Sequence, residues 1–286
     1  MTKILKYIIP IFLPIFGYGQ KASDIFGAFS KPELLSNLEE YQNENRANWE
    51  DLGFYIKYKY VYSVTPIDVI PFAYTGYAGL HFGFLTDFGQ VETLNEAPIV
   101  AISPTSDPPI RLVSKNLVEF LSLVCYSKDA TLLVHPYAGE EEFLLAQKER
   151  FNGDTGKDFL ERVEKTEAIL HEDFNIPKIE KNSFVSTILQ SMSWRKSVID
   201  YPTKDMLGIF FGGNEAIIEF SYERDIKNLK AFLDTVNRNS RIVFYRNSTL
   251  MYILSKGYDE SIKEETVKYL FNDGFIREAQ VLKKYY

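Results

Sequence analysis

The sequence predicts an α+β fold, with a small mixed or antiparallel sheet packed by helices and a helix-rich α+β extension after it. Three observations carry that prediction. Between residues 54 and 113 short runs of apolar and aromatic residues follow one another at strand length, separated by glycine- and proline-bearing turns. Segments with apolar residues at helical spacing flank this region, at residues 33–50 and from Asn116 onward. Beyond residue 137 the chain becomes charge-rich and reads as mostly helical. The expected division is therefore a domain over residues 1–137, made of helix, meandering sheet and helix, and a region over 138–286.

Each element has its own signal. In residues 33–50 Leu34, Leu35, Leu38 and Tyr41 share one helix face. Residues 54–62, FYIKYKYVY, alternate aromatic and polar side chains as a strand does. Strands are expected at 70–74 and 80–85, joined by a glycine-punctuated turn at 75–79. In the second of these Leu80, Phe82 and Phe84 face one way, and His81, Gly83 and Leu85 the other. Two further strands, 98–103 and 110–113, are joined by the stiff turn PTSDPP, whose prolines lack ladder donors. Asn116 and Glu119 stand at the spacing of an N-terminal capping pair ahead of a Leu/Phe/Leu/Val face. The second half is expected to hold helices across 140–172, broken at 151–156, and a helix at 226–236 between strands at 216–220 and 241–245. Two helices split at 272–274 close the chain.

At 286 residues the chain can bury one large core or two small ones. A net charge of −7 with dispersed lysines and arginines argues against nucleic-acid binding, which calls for a basic stripe. The single cysteine, Cys125, excludes an internal disulfide framework and any multi-cysteine metal site, and its apolar helical setting predicts a buried, inert thiol. The first twenty residues carry two lysines, an apolar run and then small residues, the outline of a secretory signal. Pro10 and Pro14 interrupt the run and no Ala-x-Ala site follows, which favours an apolar segment packed under the domain of a cytoplasmic protein. Cleavage there would make an exported one.

Asp87-Phe88-Gly89 matches the magnesium-binding tripeptide of protein kinases, but no glycine-rich loop, strand lysine or His-Arg-Asp loop precedes it, so the kinase reading fails. His81, Asp68, Asp87 and Asp107 are donors of the kind metals use, yet no paired histidine spacing supports a metal site. There is no Gly-x-Ser-x-Gly elbow, and FFGGNE at 210–215 lacks the lysine and hydroxyl of a phosphate loop. No cofactor is expected. An enzyme built on His81, Asp87 and Asp107 stays open as the alternative, and it requires the three to converge on one substrate atom.

The stretch from Thr65 to Gly89, with residues 98–104 and 116–124, resembles the SUKH superfamily, the group of the yeast cell-wall-synthesis regulator, bacterial Syd and immunity proteins of polymorphic toxin systems. The matching positions are Pro71-Phe72-Ala73, Thr75-Gly76, Gly79, 80–87, 98–102 and 116–123, within about residues 30–127. The turn departs from the family, reading Gly76-Tyr77-Ala78-Gly79 where an Asp or Asn usually precedes the second glycine. The resemblance implies an α+β, non-catalytic protein-binding scaffold, in bacteria often one that binds and neutralises a cognate toxin. It directs attention to Tyr74, Thr75, Tyr77, His81, Asp87 and Asp107 as candidate contacts to a protein partner, with Tyr62 near the same end of the sheet.

Overall fold

The computed structural model describes residues 25–58, 62–152, 157–213, 215–222, 226–251, 253–254 and 259–286. The N-terminal apolar run and residues 59–61 of the expected first strand lie outside them.

The architecture is α+β. Helix α1 (Glu33–Asn43) leads through a single 3-10 turn at Trp49–Leu52 into a five-stranded antiparallel meander. Its strands are β1 (Tyr55–Ile56), β2 (Val69–Tyr74), β3 (His81–Leu85), β4 (Ile99–Ile102) and β5 (Ile110–Ser114), each paired with the next. Register places Tyr74 opposite Tyr55 and His81, and His81 opposite Ile102. The β2–β3 and β4–β5 turns therefore share one end of the sheet. Helix α2 (Leu117–Ser127) follows, and Asn116 caps it as its spacing predicts, accepting from Glu119 N at 2.9 Å while Glu119 accepts from Lys115 N.

Helices α3 (Glu140–Phe151), α4 (Lys157–Glu172), α5 (Phe184–Val198), α6 (Ile226–Thr235), α7 (Arg238–Leu250), α8 (Glu260–Asn272) and α9 (Ile276–Tyr285) follow. The strand expected at 241–245 is instead the middle of α7. Asn237 accepts from Ser240 N to start that helix, and residues 242–249 are buried all round, so the segment shows no amphipathic period to separate helix from strand. Residues 216–220 join no ladder; within them only Phe220 is buried.

Both faces of the sheet are covered. Phe72, Phe82, Phe84, Ile99 and Ala101 pack with Phe120, Leu121 and Val124 of α2, and that core extends to Phe143, Leu170 and Phe184. On the other face Val69, Leu85, Val100, Ile102, Ile110 and Leu112 meet Leu207, Met192 and Leu250. A third cluster gathers α6–α9 around Ile67 and Phe88. The clusters draw residues from both sides of the boundary expected at 137/138. Arg277 of α9 makes the same connection, donating to the carbonyls of Ile25, Ile67 and Val69 at 2.6–2.8 Å.

Candidate partner-binding face

The turn between β2 and β3 is built from its own residues. Thr75 N donates to Leu80 O at 3.2 Å and Leu80 N to Tyr77 O at 2.9 Å, while the Thr75 hydroxyl accepts from Tyr77 N at 3.3 Å. Gly76 and Gly79 both sit at φ +75°, a region open to glycine at little cost. The tip is left bare: Tyr77 is 75% exposed.

Behind the tip, aromatic rings stack in a row. His81 lies between Tyr74, at 5.2 Å and 15°, and Tyr62, at 5.7 Å and 24°; Tyr55 extends the row, 6.2 Å from Tyr74. Gly79 is what admits Tyr62, since a Cβ there would stand 2.5 Å from the tyrosine ring. The row and the turn enclose a cleft of about 200 Å³ lined by Tyr55, Tyr62, Tyr74, Tyr77, Leu80 and the two glycines.

His81, a candidate partner contact in the sequence, is instead fully buried. The face it points to is closed by residues distant in the chain. Its Nδ1–H donates to Gly79 O at 2.7 Å, so Nε2 accepts from the Thr65 hydroxyl at 3.2 Å. Thr65 in turn accepts from Tyr62 N at 3.0 Å, and its carbonyl accepts from the Tyr286 hydroxyl. Burial pulls the imidazole down to about 4, which leaves it neutral and positional at neutral pH.

Asp87, another candidate contact, lies past the other end of β3 and is also buried. Its carboxylate is taken up by Arg195 of α5 and Arg246 of α7, neither of which the strand pattern could foresee. Arg246 also pairs with Asp68 and, at 3.4 Å, with Asp205. Three carboxylates thus share two guanidinium groups in a site closed to water. Burial pushes Asp68 up to about 6, helped by Asp87 and Asp205 and opposed by Arg246. The Asp68 Oδ1 and Arg246 Nε atoms have no hydrogen-bond partner there.

Asp107 is exposed in the β4–β5 turn, where Ser103 N donates to Pro109 O at 2.8 Å and the Ser103 and Ser106 hydroxyls meet at 2.6 Å. That turn shares the sheet end with Tyr74, Thr75, Tyr77 and His81. Asp87 does not: the five residues of β3, roughly 15 Å, separate it from His81. His81, Asp87 and Asp107 therefore do not meet on one atom, as acid–base chemistry shared among the three would require. Among the described residues no group of three or more His, Cys, Asp or Glu is placed to hold a metal ion, and no helix is long and apolar enough to cross a membrane. Comparison with protein-family models and with curated proteins returns no match for this chain.

Proposed function

We propose that the chain is a non-catalytic, SUKH-like binding protein of the cytoplasm that engages a protein partner through the tyrosine end of its sheet, in the manner of an immunity protein that occupies a toxin domain. The observation that carries this reading is the pairing of an exposed Tyr77 with a rigid aromatic backing. Tyr62, 38% exposed, is stacked on buried His81, which is clamped at both ring nitrogens. A tyrosine held by packing presents large contact area at small entropic loss on binding, which is why interfaces favour such anchors. Thr75 and Asp107 supply polar groups on the neighbouring turns at the same end. His81 and Asp87 act from inside the fold rather than at the contact.

The test is co-purification of the tagged chain from its own host, followed by titration of the recovered partner. The reading expects one stoichiometric partner whose affinity falls at least tenfold, about 1.4 kcal/mol, in Tyr77→Ala, with the melting temperature unchanged. Recovery of no stoichiometric partner, or a partner indifferent to Tyr77→Ala and to Asp107→Ala, overturns it.

A further inference from the structure

A second concave surface, sharing no residue with the tyrosine cleft, lies between the end of α1 and the flank of α4, with a volume of about 340 Å³. Two chain segments more than a hundred residues apart build it. The turn after α1 supplies Asn45, Arg46 and Asn48, and its form is set by Asn45 at φ +55° and by Arg46 N donating to Tyr41 O at 2.9 Å. Helix α4 supplies Arg162, Lys165 and Thr166, whose three- and four-residue spacing puts them on one face.

The lining carries three cations against one carboxylate, Asp51, in a chain whose net charge is −7. Both arginines are held by Nε: Arg46 faces Glu44 at 2.7 Å and lies 3.6 Å over the Tyr41 ring, and Arg162 donates to Asp51 at 3.1 Å. Anchoring at Nε orients a guanidinium while leaving terminal N–H groups for a further acceptor; Arg162 spends one of its own weakly, on Asp158 O at 3.4 Å. Lys165 has no acidic partner among the described residues, and the side chains of Asn45 and Asn48 make no hydrogen bond there. Thr166 is the second, independent sign. It is only 4% exposed, it lines the cleft, and its hydroxyl has no hydrogen-bond partner among the described residues. The rest of the residue is packed away, so this hydroxyl is open only to the cleft, where it stands beside other unpaired donors as a ready partner for an acceptor-rich ligand.

We propose that this cleft binds a small soluble phosphate monoester. With Arg46 paired to Glu44 and Arg162 to Asp51, the excess positive charge rests on Lys165; it favours an anion, and a phosphate monoester offers three strong acceptor oxygens to the lysine and to the free terminal N–H groups of the arginines. Arginine forks and a lysine point charge suit those oxygens, and the amides and Thr166 suit the remainder of the ester.

Isothermal titration of the full chain with glycerol 3-phosphate at pH 7.5, with acetate at matched ionic strength as control, tests the assignment. Saturable binding is expected for the phosphate ester and none for acetate. Lys165→Gln should weaken it roughly tenfold, the scale of one charge-assisted hydrogen bond; this exposed, unpaired side chain carries no part of the fold. The isosteric Thr166→Val should weaken it severalfold with an unchanged melting temperature. No saturation at millimolar ester, equal response to acetate, or indifference to both variants overturns the proposal. So does retention on vesicles containing phosphatidic acid without binding of the soluble ester.

Discussion

Arg195 grips Asp87 with both terminal nitrogens, Nη1 on Oδ2 and Nη2 on Oδ1, each at 2.7 Å and across 108 positions of sequence. The same guanidinium donates to the carbonyls of Leu207 and Gly208 at 2.8 Å, so every donor direction but one is used inside the fold. Asp87 reaches this place because residues 87–89 all take positive φ, turning the chain sharply after β3 and sending Phe88 into the cluster of Tyr245 and Phe275. A tripeptide that reads as a kinase signature is thus a hinge that ties the sheet to α5 and α7.

Asp87→Ala should therefore destabilise strongly. It strands the Arg195 guanidinium and removes one of three carboxylates around Arg246 in a buried site, and breaking a buried pair from one side costs about 3–5 kcal/mol. Arg195→Lys keeps the charge but loses the fork and the carbonyl bonds, so it should cost less than Asp87→Ala yet remain clearly measurable. Urea unfolding of both variants checks the order; a change under about 0.5 kcal/mol for Asp87→Ala, the range of an ordinary surface substitution, would contradict the network.

Asp68 and His81 make opposed contributions to the pH dependence of stability. Burial holds His81 near 4 in the folded chain, below the ordinary imidazole value, so between roughly pH 6.5 and 4 the unfolded chain binds a proton that the folded one refuses. Stability from this group falls as pH falls. Asp68, raised by burial to about 6, does the reverse: between about pH 4 and 6 the folded chain holds a proton that the unfolded one lacks, so stability falls as pH rises. Each is worth roughly 3 kcal/mol at full effect, and over pH 4–6 the two slopes cancel. His81→Gln should unmask the Asp68 slope, its stability relative to wild type rising as pH drops from 6 to 4, and Asp68→Asn should unmask the opposite one. Parallel urea curves at pH 4.5, 6 and 7.5 decide; variants whose differences from wild type do not move with pH would refute the assignment.

How much of this was legible follows from the range of the interactions involved. The strands β2 to β5 and the capped start of α2 are written locally, in period-two alternation, turn residues and a capping pair. The helix α7 is not, because Ile242, Val243, Phe244 and Tyr245 are strand-forming side chains in a helix buried on every side. The exposed turn with Thr75 and Tyr77 could be read from its glycines. The burial of His81 could not: alternation assigns it to the face opposite Phe82, and it is the stacking of Tyr62 and the bond from Thr65, itself tied to Tyr286, that close over the ring. Asp68 and Asp87 gave a weak signal as charges flanking apolar strands. Their partner Arg246 stands 178 positions after Asp68, beyond any local pattern.

Cys125 offers a simple reporter of this packing. It is 1% exposed on α2, and burial pushes its thiol up to about 12, aided by Glu167. A thiol so held is neither accessible nor ionised at pH 8, where a disulfide reagent attacks the thiolate. Labelling of native protein by such a reagent should be slow and should accelerate in step with the loss of far-ultraviolet dichroism in urea. Rapid labelling before the unfolding transition would show that α2 opens on its own.

Gly79 is where the aromatic row and the turn depend on one position. Its φ of +75° already disfavours any side chain, and the missing Cβ is the space that the Tyr62 ring fills. Gly79→Ala should cost about 1–3 kcal/mol from backbone strain and should push Tyr62 off His81 as well. Displaced, the ring no longer shields the imidazole, which gains water and moves up from about 4 toward its ordinary value. Histidine NMR titration resolves this directly. The variant should show the His81 imidazole titrating well above its wild-type position. Gly76→Ala, in the same turn and also at φ +75°, has only the Tyr55 ring at 3.6 Å and should bring the strain without the imidazole shift. An unchanged His81 titration in Gly79→Ala would mean that Tyr62 does not seal this end of the sheet.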